Sequence, residues 1–220
     1  MKVYVCSLSF LICFSSAAFA CNKPELSAKE NFDSCSTLAQ EQDLKAQYNL
    51  ATMYRAGNGT DIDYQQAFYW YQQAANADMV KAQYNLALMY QRGAGTNKSP
   101  DMAIEWYSKA AEQDHLKSMF NLGLIHHKGD GIKPDFEQAA DWYSKAAKLG
   151  HGGALYNLAT MYDQGLGVEQ DYAMAYALWQ LAAMQGNELA QLNLNTLAEI
   201  ITPEQLKHVE AITKQWSADK

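Results

Sequence analysis

Residues 82–117 read AQYNLALMYQRGAGTNKSPDMAIEWYSKAAEQDHLK, from Ala82 to Lys117, and the chain on either side is an imperfect copy of them. The copies begin at Ala46, Ala82, Ser118, Ala154 and Ala190, in steps of 36 residues without insertion. Self-similarity at a fixed period of this size is the signature of a repeat architecture.

Each copy opens on a small residue, Ala46, Ala82, Ser118 or Ala154. Leu50, Leu86, Leu122 and Leu158 follow four residues on, then Met53, Met89, Ile125 and Met161, then Tyr54, Tyr90, His126 and Tyr162. Apolar positions at i, i+4, i+7 and i+8 make one face of a helix of about three turns. Paired glycines follow, Gly57 and Gly59, Gly93 and Gly95, Gly129 and Gly131, Gly165 and Gly167. They permit the left-handed conformation just past a helix end.

Asp63, Ser99, Asp135 and Asp171 then stand where a side-chain oxygen can cap a second helix, and Pro100 suits its first position. That helix carries Ala67, Ala103, Ala139 and Ala175, then Trp70, Trp106, Trp142 and Leu178, then Ala74, Ala110, Ala146 and Ala182. The alanines let neighbouring backbones approach, and the tryptophans are read as packing residues. Ordering a residue costs roughly 1 to 2 kcal/mol, whereas burying a large apolar side chain returns about 1.5 to 3. One hairpin therefore cannot stand alone, and stacked hairpins can. The expected fold is all-α, a right-handed α-solenoid with first helices on the concave side and second helices on the convex side, by analogy with other helix-pair repeats.

The pattern A-x-Y-N-L-A-x-M-Y-x-x-G-x-G followed by D-Y-x-x-A-x-x-W-Y-x-x-A-A resembles the Sel1-like repeat, a relative of the tetratricopeptide repeat. It covers four copies, 46–81, 82–117, 118–153 and 154–189, within 46–189. The third copy departs with His126 in place of Tyr, and the fourth with Leu178 and Trp179 in place of Trp and Tyr. The resemblance implies a binding scaffold, not an enzyme.

Residues 1–20, MKVYVCSLSFLICFSSAAFA, combine Lys2, an apolar run and a terminal Ala18-Phe19-Ala20, the pattern of a secretory signal peptide. The expected mature chain is exported, has no transmembrane segment and starts at Cys21. Of four cysteines, Cys6 and Cys13 leave with the signal, so Cys21 and Cys35 remain. Two cysteines in an oxidising compartment are most simply a disulfide. A lipid on Cys21 is the competing reading, and the two exclude each other. The expected location is periplasmic, with secretion or lipid anchoring at Cys21 as alternatives.

Residues 21–45 form an N-terminal arm and capping helix with Leu38-Ala39 at the alanine-pair register and Ser34 at the Trp position. Residues 190–220 hold a half repeat and a closing helix, started by a Thr202-Pro203-Glu204-Gln205 capping box and made amphipathic by Leu206, Val209 and Trp216.

The formal net charge is −7, and removing 1–20 takes away only Lys2, leaving 16 basic against 24 acidic residues. This argues against nucleic acid and anionic lipid as partners. Against that background, the outward face of the first helices carries a stripe of Lys45, Asn49 and Thr52; Lys81, Asn85, Leu88 and Arg92; Lys117, Asn121, Leu124 and Lys128. In the fourth copy Gly153, Asn157, Thr160 and Gln164 keep the amide and lose the charge, and Asn193 continues the ladder. Side-chain amides can bond an extended backbone while Lys and Arg hold carboxylates. The stripe resembles the Asn and Lys arrangement by which some tetratricopeptide domains clamp peptide termini. The expected partner is a protein or peptide with acidic groups or a free C-terminal carboxylate, bound by a monomer in the bacterial cell envelope or outside the cell. The other reading of the asparagines is structural, bonding to the neighbouring hairpin.

No cofactor or metal is expected: His126 and His127 are adjacent and diverge on a helix, and His115 and His151 share a register without a carboxylate or Cys cluster. Some cysteine-rich Sel1-like proteins are linked to β-lactam binding or hydrolysis, so a cell-wall-related hydrolase is the alternative function. The one Ser-x-x-Lys spacing, Ser217 to Lys220, sits at the last four residues, where no pocket can close.

Overall fold

The computed structural model describes Cys21 and residues 23–218. The expected signal peptide, with Cys6 and Cys13, and Lys220 of the Ser217–Lys220 pair lie outside the described residues. Those residues fold into helices α1 (Ala28–Gln40), α2 (Leu44–Ala56), α3 (Tyr64–Asn76), α4 (Val80–Arg92), α5 (Pro100–Ala111), α6 (Leu116–Lys128), α7 (Phe136–Lys148), α8 (Gly152–Gln164), α9 (Tyr172–Met184), α10 (Glu188–Leu197) and α11 (Pro203–Ala218). The architecture is an all-α solenoid of helix pairs. Two compact units, residues 1–70 and 71–220, divide within α3.

In the first unit, Ser27 and Glu30 start α1 with a reciprocal capping box, and Cys21 and Cys35 are joined as a disulfide with Cα atoms 4.9 Å apart. Cys35, Leu38 and Ala39 of α1 pack on Ala46, Leu50 and Met53 of α2, with Phe32, Tyr54 and Trp70 around them. Leu38 and Ala39 thus bury as their register requires.

In the second unit, first and second helices pair as α4 with α5, α6 with α7 and α8 with α9. Asp135 and Asp171 cap α7 and α9 through the backbone N–H of Gln138 and Met174 at 3.0 Å, and Ser99 caps α5. The paired glycines hold positive φ. The second glycine of a pair also serves contact between hairpins: a Cβ on Gly131 would overlap the Pro100 ring, and one on Gly167 would overlap the backbone of Phe136. These turns require glycine for both conformation and space.

The deepest side chain of each second helix is not the tryptophan. Tyr71, Tyr107 and Tyr143 are fully buried, whereas Trp70 and Trp142 are half-buried and only Trp106 is buried. Lys109 and Lys145 lie over the Trp106 and Trp142 rings at 4.0 Å, a cation–π cover that lets the indoles sit at the surface. The tryptophans do pack, but as an outer layer. At the C-terminal end α11 packs on α9, starting with the expected Thr202/Gln205 box. Val209 and Trp216 are buried, as is Ile201 just before the helix, whereas Leu206 is 41% exposed.

Candidate binding face of the first helices

In the first unit, Lys45 is exposed and Asn49 is half-buried, its Nδ2 donating to Cys21 Sγ at 3.5 Å. Thr52 turns its hydroxyl to the Tyr48 carbonyl of its own helix at 3.0 Å.

In the second unit, Lys81 and Arg92 on α4 and Lys117 and Lys128 on α6 are exposed, while Asn85, Asn121, Asn157 and Asn193 are half-buried on α4, α6, α8 and α10. Asn85 Nδ2 donates to the Lys81 carbonyl at 2.9 Å. Asn121 lies alongside the Tyr107 hydroxyl, which donates to Gln91 Oε1 of α4 at 2.9 Å. Asn157 lies alongside the Tyr143 hydroxyl, which makes no hydrogen bond of good geometry. Burial pushes the pKa of both phenols well above the ordinary value. The Tyr143 ring rests on Gly123 of α6, between Phe120 and His127. The amide ladder is thus at least partly structural: an Asn fourteen residues after the inward tyrosine sits beside its hydroxyl.

The lysines differ from the amides. Among the described residues, Lys45, Lys81 and Lys117 make no ion pair, whereas Lys98 pairs with Asp130 at 2.8 Å and Lys109 with Glu105 at 2.7 Å. The Lys98 ammonium holds the Asp130 carboxyl below its ordinary pKa. Lys81 and Lys117 sit close enough to His115, and Lys117 to His151, to disfavour the imidazolium forms; burial is the larger cause of both depressions. His115 and His151 are the N-cap residues of α6 and α8. His151 Nδ1 accepts from the Ala154 N–H at 3.2 Å, and its ring stacks on Phe120 at 4.4 Å. Sequence reasoning placed these histidines in one register but missed the cap.

The arrangement offers uncompensated positive charge beside amides, on helices whose backbone is internally satisfied. It can hold an anion or an extended chain. No group of three or more His, Cys, Asp or Glu side chains placed for a metal ion occurs among the described residues. Nor is any helix among them long and apolar enough to cross a membrane.

The Sel1 repeat family model matches residues 44–79, 80–115, 116–151 and 153–187. Among solved structures, a Sel1 repeat protein from Oxalobacter formigenes is 33% identical over 76% of this chain and 68% of its own, with a TM-score of 0.70. A protective antigen of uropathogenic Escherichia coli with an SLR fold is 26% identical over 88% of this chain and 57% of its own, with a TM-score of 0.45. Cysteine-rich protein B of Helicobacter pylori is 25% identical over 59% of this chain and 92% of its own, with a TM-score of 0.46. A comparison with curated proteins found no match. With the family model covering four consecutive repeats and most of the chain, this protein belongs to the Sel1 repeat family.

Proposed function

We propose that this Sel1 repeat protein is an exported binding scaffold that takes an extended peptide segment, acidic or ending in a free carboxylate, along the outward face of its first helices. The observation that carries the reading is the state of Lys81 and Lys117: exposed, without an ion pair among the described residues, and beside half-buried Asn85 and Asn121 in an acidic protein. Long cations left unpaired amid an excess of carboxylates are available to a carboxylate from outside. Arg92 and Lys128 extend the charge along α4 and α6. Asn157 and Asn193 continue the amides where charge is lost, and in the first unit Lys45 and Asn49 repeat the pairing. The mechanism is equilibrium binding without chemistry.

Export is supported by the Cys21–Cys35 disulfide, a bond that persists in oxidising compartments. That pairing leaves no thiol on Cys21 for a lipid, which favours a periplasmic or secreted protein over an anchored one.

An array of C-terminal peptides tests the reading, each presented with a free and with an amidated terminus. A charge-assisted hydrogen bond contributes about 1.5 to 3 kcal/mol, so Lys81→Ala with Lys117→Ala is expected to weaken acidic free-carboxylate peptides by tenfold or more while Tm changes little. Binding that ignores both lysines and the terminal charge contradicts it.

A further inference from the structure

The inward position of the repeat changes character in the fourth copy. Cys35, Tyr71, Tyr107 and Tyr143 are followed, 36 residues on, by Trp179, which is 3% exposed. At Tyr107 the hydroxyl lies between Gln91 of α4 and Asn121 of α6. The residues at the same register around Trp179 are Asp163 of α8 and Asn193 of α10. An indole offers neither of them a hydroxyl, and Trp179 Nε1 is buried without a hydrogen-bond partner.

What remains is a cleft of about 350 Å³ between α8 and α10, lined by Tyr156, Thr160, Asp163, Trp179, Asn193 and Thr196 among others. The Asp163 carboxylate makes no hydrogen bond or ion pair among the described residues. Its surroundings hold no cation at repeat register either, since Gly153 and Gln164 stand where earlier copies have Lys117 and Lys128. Burial alone raises its pKa, the mark of a carboxylate desolvated without compensation. Thr160 and Thr196 spend their hydroxyl protons on the Tyr156 and Leu192 carbonyls at 3.1 and 3.2 Å, which leaves their oxygens as acceptors.

A carboxylate and hydroxyl acceptors beside aromatic rings suit a cation, which both pairs with the carboxylate and packs on the rings. A neutral hydroxylated ligand would fill the same acceptors but would leave the half-buried Asp163 carboxylate without a counter-charge. We infer that the α8–α10 cleft seats the Lys or Arg side chain of a bound peptide. This extends, and rests on, the reading of the first helices as a peptide face, and it gives the partner a polarity: acidic toward Lys81 and Lys117, basic toward Asp163.

The test uses the full exported chain with ¹⁵N-labelled indoles and N-acetyl-arginine amide as probe, the Trp179 signal being assigned by its loss in Trp179→Phe. The probe is expected to shift that signal saturably. Asp163→Asn is expected to weaken the response tenfold or more; Trp179→Tyr, which removes the reporter and returns a hydroxyl to the place between Asp163 and Asn193, is titrated with the same probe by calorimetry and is expected to bind it tenfold or more weakly than the unmodified protein. Each variant is first checked by thermal melting, so that a misfolded Asp163→Asn leaves Trp179→Tyr to decide. No saturable shift, or equal affinity for uncharged N-acetyl-citrulline amide or for N-acetyl-glucosamine, overturns the cation site. In the unmodified protein, acidic-peptide binding without an arginine response refutes this cleft alone; the reverse pattern refutes the lysine face alone.

Discussion

The Tyr107 hydroxyl donates to Gln91 Oε1 at 2.9 Å, tying the second helix α5 to its own first helix, while Asn121 meets the same hydroxyl from the next one. One copy later the Tyr143 hydroxyl has only Asn157 beside it and makes no well-formed bond. The two tyrosines are equally buried, with Tyr84 beside Tyr107 and Phe120 and His127 beside Tyr143. A neutral hydrogen bond is worth about 0.5 to 1.5 kcal/mol net, so Tyr107→Phe is expected to cost about 1 kcal/mol in denaturant unfolding. Tyr143→Phe, which removes a polar atom that is buried and unsatisfied, is expected to be neutral or stabilising. Equal costs at both sites would contradict the bonding pattern described.

Acidification should weaken the fold through the histidines. His115, His126, His127 and His151 are all held below the ordinary value of 6.5, with burial the first cause at each. A depressed folded pKa means that the unfolded chain takes up the proton first as pH falls. The neutral histidines therefore contribute stability that is present above about pH 6.5 and is lost below it. His151 adds a direct reason, since its Nδ1 must be unprotonated to accept from Ala154. Melts from pH 7.5 to 5 should show falling Tm, and His151→Asn, which keeps a capping oxygen as Asn187 does on α10, should flatten the slope. An unchanged slope in that variant would remove His151 from the account.

The disulfide closes a separation of 14 residues onto Cys35, which is 0% exposed. Constraining a loop of that size is worth about 3 kcal/mol in the chain-entropy model. Oxidised protein is accordingly expected to unfold at higher denaturant than protein reduced with dithiothreitol, by that order. Intact mass of the protein purified from the cell that makes it reads the same bond: a loss of two hydrogens supports it, and an acyl adduct on Cys21 contradicts it.

The solenoid was legible because each of its signals is local. Leu50, Leu86, Leu122 and Leu158, the glycine pairs and the caps at Ser99, Asp135 and Asp171 all sit where the 36-residue register puts them, and each is recognisable within one helix or turn. The inward layer was harder. Trp106 and Tyr107, and likewise Trp142 and Tyr143, are adjacent on a helix and diverge by about 100°, and residue size favoured the indole when only the tyrosine is fully buried. The signal that separates them is the Asn fourteen residues later, which lies beside the hydroxyl of Tyr107 and of Tyr143. On α11 the amphipathic pattern marked Val209 and Trp216, which are buried, together with Leu206, which is 41% exposed. Of the candidate face, the lysines and amides were readable as a stripe. That half-burial would commit Asn49 to a sulfur atom and Asn121 to a phenol depends on packing between helices, which spacing within one helix does not encode.

The central claim, that the first helices of the second unit receive a peptide, is tested most directly by photocrosslinking in the cell that makes the protein. Benzoylphenylalanine would replace Leu88 or Leu124 between the charged positions, with Glu105 and Lys145 on the second helices as controls. One dominant adduct from Leu88 and Leu124, absent from the controls and lost when Lys81 and Lys117 are both changed to Ala, is the expected result. Adducts that form at Glu105 and Lys145 but not at Leu88 and Leu124 would contradict the account and leave the asparagine ladder as structure alone.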